Sequence, residues 1–214
     1  MRDLRPLFSP TSVAVIGASD DPMKWGGWFT GSLLEQPGHP RIHLVSRRGG
    51  TIRGQVAYPS IQDLPERPEL VVLAVPAAHV DGAVDDALAM GARAIVVIAA
   101  GFAEGGADGL ARERAIVERV RAAGAVMLGP NCLGLLDTGS GLNATGGGHA
   151  HGSVSLASQS GNLALELGIL LEHEHLGFAR LASVGNQADI GVADVLWSLV
   201  DHEPTRVVTA STVM

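Results

Sequence analysis

Residues 12–27 read SVAVIGASDDPMKWGG, and the rest of the chain is understood outward from them. A short β-branched run, Val13 to Ile16, ends in the small residues Gly17, Ala18 and Ser19. Gly26 and Gly27 then open a stretch of helical composition. A strand that turns into a helix presents unpaired backbone N–H groups and the positive end of the helix dipole, both of which favour an anion. The strict G-x-G-x-x-G dinucleotide pattern is absent. Alone, the segment fits a nucleotide- or phosphate-binding loop and a purely structural tight turn equally well.

The same alternation continues. Strands are predicted at Val13 to Ile16, Ile42 to Val45, Leu70 to Val75, Ala94 to Ile98 and Val126 to Leu128. Helices are predicted at Gly26 to Gln36, Val80 to Met90 and Gly109 to Ala123. This is the signature of an α/β fold with a Rossmann-like parallel sheet, whose ligands bind at the C-terminal strand ends. Residues 129–152, with a glycine-rich part from Gly139 to Gly152, read as a linker or surface loop. A second βαβ series follows: strand Val154 to Ala157, helix Asn162 to His173, strand Arg180 to Val184, helix Val192 to Val200 and strand Val207 to Thr209. Three strands make a small sheet, so residues 153–214 read as a truncated domain, or as one that needs a partner at its edge. The first domain is placed at 1–128.

Composition narrows the classes. Of the 214 residues 46% are hydrophobic but only 4% aromatic, which suits buried parallel strands. The N-terminal MRDLRPLFSP lacks a signal peptide's apolar segment, so a cytoplasmic protein is expected. The single cysteine, Cys132, excludes an internal disulfide framework and a zinc site of several thiolates. A formal charge of −7 argues against nucleic-acid and membrane-surface partners. Against that background Lys24, Arg41, Arg47, Arg48 and Arg53 form a local basic patch, and Lys24 is the only lysine. NAD sites place an acid at the end of the second strand; here Ser46-Arg47-Arg48 suits a phosphorylated ribose, as in NADP or coenzyme A.

Seven motifs then occur in a telling order: VAVIGAS (13–19), GQVAYPSIQDLP (54–65), VVLAVPA (71–77), AAGFAEGG (99–106), LGPNCLG (128–134), SLASQSGN (155–162) and SVGNQADI (183–190). From Leu4 to Thr205 the chain resembles NDP-forming acyl-CoA synthetases, namely the α subunits of succinyl-CoA synthetase and ADP-forming acetyl-CoA synthetase. The resemblance implies a first domain that binds coenzyme A or acyl-CoA, followed by a small, truncated flavodoxin-like α/β domain. It places Gly17, Ala18, Ser19, Lys24 and Gly26 around the cofactor's phosphates and Arg47 or Arg48 on its nucleotide phosphate. Val75, Pro76 and Ala77 would shape the wall near adenine and pantetheine. Ala100, Gly101, Phe102 and Glu104 share that edge, and Asn131 and Cys132 lie toward the thiol. A lone buried cysteine more commonly packs than reacts. Ser158, Ser160, Gly161 and Asn162, with Gly185 and Asn186, would form a phosphate site at a helix N-terminus. Ser160 fits an N-cap equally well.

The family's phosphohistidine lies beyond this chain's last residue, and its supporting glutamate is replaced by Thr209-Ala210-Ser211-Thr212-Val213-Met214. No catalytic residue and no metal site is expected here, and the chain alone is expected to be inactive. Gly148-His149-Ala150 imitates the histidine's local setting but precedes the domain's first strand. His149 and His151 make an incomplete metal site. Acid-thiol ligase chemistry would need an acyl phosphate and an ATP-grasp domain or subunit, and a homo-oligomer is compatible with the sequence. The alternatives are a non-catalytic CoA-binding regulatory module and an NADP-binding redox protein.

Overall fold

The structure, a computed structural model, describes residues 2–212. Val213 and Met214, part of the terminal stretch weighed above, lie outside the described residues, as does Met1. After a short helix α1 (Arg5–Phe8), the first half runs β1 (Ser12–Ile16), α2 (Trp25–Glu35), β2 (Arg41–Val45), β3 (Gly50–Ile52), β4 (Gln55–Tyr58), β5 (Leu70–Leu73), α3 (Val80–Ala89), β6 (Ala94–Val97), α4 (Ala107–Ala122) and β7 (Val126–Leu128). The sheet order is β3-β4-β2-β1-β5-β6-β7. All its pairings are parallel except β3 with β4. β5 is two residues shorter than expected because Ala74 and Val75 already belong to the turn that leaves the sheet.

Side chains alternate between two cores, as strand geometry requires. On one face Ala14, Val71, Leu73, Ile95 and Val97 pack with Val80 and Val84 of α3 and Ile116 and Val120 of α4. On the other, Val13, Val15, Leu70, Val72 and Val96 meet Phe8, Phe29 and Leu33. That second core also contains Leu135, Leu142, Ala144, Ala182 and Val195, so it is shared with the second half of the chain.

The second half contains β8 (Gly134–Asp137), β9 (Leu142–Ala144), β10 (His151–Ser158), α5 (Gly161–His173), β11 (Phe178–Ser183), α6 (Val192–Trp197) and β12 (Val207–Ser211). Its sheet has five strands, not three, in the order β12-β10-β11-β8-β9. The stretch 129–152, expected as a linker or loop, supplies β8 and β9, antiparallel to each other, with β8 antiparallel to β11. Within it Gly134 adopts φ 94°, and a methyl there would collide with the Ala144 carbonyl. Close backbone approach, not looseness, is what this glycine provides.

Two buried ionic groups tie the halves together. Arg180 pairs with Asp137 at 2.7 Å and covers the Phe8 ring, and His202 lies 3.3 Å from the same carboxylate. His202 therefore belongs to the same buried cluster. Asp189 accepts from Arg2 (2.6 and 2.8 Å), Arg121 (2.6 Å) and the Met127 N–H (2.8 Å).

Candidate functional site

The strand order reverses at β1, which has β2 on one side and β5 on the other. Crevices at such reversals, beyond the strands' C-terminal ends, are ligand sites. A cleft of about 610 Å³ opens there, lined by Gly17, Ala18, Ser19 and Lys24 after β1, Ser46, Arg47 and Arg48 after β2, and Val75 and Pro76 after β5. A neighbouring cleft of about 470 Å³ shares Gly17, Lys24, Val75 and Pro76 and extends over Gly26, Ala77 and Ala100. The two make one trough along the sheet edge.

The β1–α2 turn is built for close approach. Gly17 has φ 94°, and a methyl on Gly26 would overlap the Gly17 carbonyl oxygen. The start of α2 is thereby pressed against the end of β1, leaving N–H groups near the cleft. Ser19 Oγ accepts from Asp21 N at 3.0 Å. Asp21 is held below the ordinary carboxylate range by the Met23 N–H and by Lys24, whose ammonium lies 3.3 Å away. Arg47 and Arg48 are exposed and form neither an ion pair nor a hydrogen bond with any described residue. Most other arginines are engaged: Arg41 with Glu66, Arg53 with Glu35, Arg93 with Asp3 and Glu69.

Other expected site residues are divided. Gly101 donates its N–H to Glu104 at 2.5 Å, but Phe102 is fully buried beneath the Arg112 guanidinium, 5.0 Å from its ring centre, and supports the wall from behind. Cys132 is buried, with Sγ 3.3 Å from the Val97 carbonyl, and burial pushes its thiol up to about 12. Asn131, at φ 57°, donates from Nδ2 to Asn186 Oδ1 at 3.2 Å. Asn186 Nδ2 donates to both Glu104 (2.5 Å) and Glu113 (2.8 Å), joining the loops after β6, β7 and β11. Burial raises the Glu104 carboxyl, but the Asn186 amide and the Gly101, Glu104 and Phe102 N–H groups outweigh it and leave the net shift downward.

The second group gathers at the start of α5. Ser160 is the N-cap, accepting from Leu163 N at 3.2 Å, and Ser158 Oγ accepts from Ser160 N at 3.0 Å. Gly161 approaches Leu133, Gly185 packs on Pro130 and Asn131, and Asn162 is exposed. The β7 turn thus carries the end of the trough to the foot of α5. His149 packs edge-on to Phe178 with Nε2 buried and unbonded, while His151 bonds Gln36, so the two rings are separately engaged. Sequence reasoning missed Ser60, Ile61, His79, Ala83 and Asp86 in the cleft. The YPSIQDLP motif was visible, but nothing in it announced that a turn after β4 would fold back to the end of β2.

A family model described as a CoA binding domain matches residues 11–138. The chain belongs to that family. A second, described as a succinyl-CoA ligase like flavodoxin domain, matches residues 151–212. Among curated relatives, the α subunit of acetate–CoA ligase [ADP-forming] II from Pyrococcus furiosus is 35% identical over 94% of this chain and 44% of its own length. The α subunit of ligase I from the same organism is 37% identical over 96% and 46%. Among solved structures, the dinucleotide forming acetyl-coenzyme A synthetase 1 of Ca. Korarchaeum cryptofilum, in complex with phosphate and ADP, superposes with a TM-score of 0.92 at 34% identity, covering 98% of this chain and 45% of that one. The chain spans less than half the length of the curated relatives it matches. No helix among the described residues is long and apolar enough to cross a membrane.

Proposed function

We propose that this chain is the CoA-binding portion of an NDP-forming acyl-CoA synthetase, which joins an acid to CoA at the expense of a nucleoside triphosphate. The observation that carries the reading is the pair Arg47 and Arg48, free of internal partners at the rim of the reversal-point cleft in a CoA-binding fold. Their guanidiniums suit the nucleotide phosphate through charge-assisted hydrogen bonds. Gly17 to Lys24 and Gly26 receive the pyrophosphate, and Val75, Pro76, Ala77 and Ala100 guide the pantetheine arm toward Asn131. Ser158, Ser160, Gly161, Asn162, Gly185 and Asn186 then face an acyl phosphate or phosphate at the foot of α5. Phe102 and Cys132 serve this site by packing. The reaction class follows the names of the relatives, and an ATP-grasp domain or subunit with its own phosphohistidine completes it. Cytoplasmic pools of CoA and nucleotide fit such a protein.

Calorimetric titration with CoA, NADPH and NADH tests the proposal. CoA binding with negligible NADH binding is the expected result. Tight NADPH binding without CoA binding would overturn it in favour of an NADP-dependent protein.

A further inference from the structure

The cleft proposed for a polyanion contains an acid. Asp86, on α3, lines it alongside His79 and Ala83, in the same trough as Arg47 and Arg48. Its neighbours on the helix are neutralised: Asp81 pairs with Arg112 and Arg119, and Asp85 pairs with Arg119 at 2.9 Å. Asp86 projects elsewhere. Its Oδ1 accepts from Gln62 Nε2 at 2.9 Å, and none of the described cations pairs with it.

An unneutralised carboxylate beside bound phosphates is repulsive unless the ligand brings a hydrogen-bond donor to it. A nucleotide carries one far from its phosphates, the exocyclic amine of its base. Ile61, next to Gln62, and Ala83, one helical turn before Asp86, line the same cleft and offer apolar walls for a flat ring. Carboxylates accept from base amines by simple donor–acceptor matching. We infer that Asp86 is a specificity-determining residue that accepts a hydrogen bond from the adenine amine of the bound nucleotide. Gln62 orients the carboxylate by occupying Oδ1 and leaving Oδ2 for the base. The inference rests on the CoA reading of this cleft.

The test uses the full chain and two ligands, CoA and a CoA analogue whose adenine amine is replaced by hydrogen. Wild type binds CoA about tenfold more tightly than the analogue, as loss of one hydrogen bond to a charged acceptor implies. In Asp86→Ala the ratio falls to within about twofold. The ratio is the readout because removing the charge also strengthens phosphate binding, and that effect is common to both ligands. Equal affinities in wild type, or an unchanged ratio in Asp86→Ala, overturn the inference and leave CoA binding intact. Failure of wild type to bind CoA overturns both.

Discussion

Replacing Asp189 with alanine removes the carboxylate that joins the two halves of the chain. Its side chain is fully buried, and it holds Arg2, Arg121 and the Met127 N–H at 2.6 to 2.8 Å. Breaking a buried pair costs about 3–5 kcal/mol when the remaining charge is trapped. Here the Arg2 and Arg121 side chains are 33% and 56% exposed and regain water, whereas the Met127 N–H is left buried without an acceptor. The expected loss is therefore at the lower end, about 3 kcal/mol. Arg121→Ala, which leaves Arg2 in place, costs at most about 1 kcal/mol. Burial raises the Asp189 carboxyl, but Arg2, Arg121 and the Met127 N–H outweigh it and hold it below the usual range. A depressed native value stabilises the fold fully above the unfolded-chain value of about 3.9, and the benefit fades as pH falls toward the native one. Urea unfolding followed by circular dichroism, at pH 7 and at the most acidic pH where both proteins still fold, measures the difference. A deficit below about 1 kcal/mol at pH 7, or one that does not shrink in acid, would refute the argument.

Three further outcomes are expected. Removing Arg47 and Arg48 together weakens CoA binding by about 1.5–3 kcal/mol for each charge-assisted bond lost, by calorimetry at fixed ionic strength; unchanged affinity removes both from the site. Gly26→Ala, forced against the Gly17 carbonyl, destabilises by about 1–3 kcal/mol or more, and a melting curve like wild type's would contradict the close-approach account. Cys132, buried and with its thiol raised to about 12, reacts with a thiol reagent at pH 8 only on unfolding, so rapid labelling of the native protein would show the β7 turn to be open.

The parallel sheet was legible because its central strands are buried on both faces and read as continuous apolar runs, as in Leu70 to Leu73 and Ala94 to Val97. The trough was legible for a different reason: Gly17 and the Ser46-Arg47-Arg48 run sit at strand ends, where the chain must turn and chemistry is exposed. β8 and β9 were missed because Leu135-Leu136 and Leu142 are short runs among glycines, and only contact across the shared core makes them strands. Asp86 was missed because one acid in a helix with three looks like ordinary surface; which of them lacks a cation is a property of packing against α4. The Asp189 bridge spans residues 2, 121 and 189, a separation no local pattern encodes.

The order of the strands also acts as a ruler. From the end of β2, where Arg47 and Arg48 emerge, to the end of β7, where Asn131 lies, the sheet takes four lateral steps through β1, β5 and β6. At about 4.8 Å per step the span is about 19 Å. A ligand anchored by its phosphate at one end delivers a reactive group to the other only if a long, thin arm follows the trough. Free nucleotides of the same head group can occupy the anchor and still leave the far end untouched, so length, as much as charge, decides which molecule this surface can use.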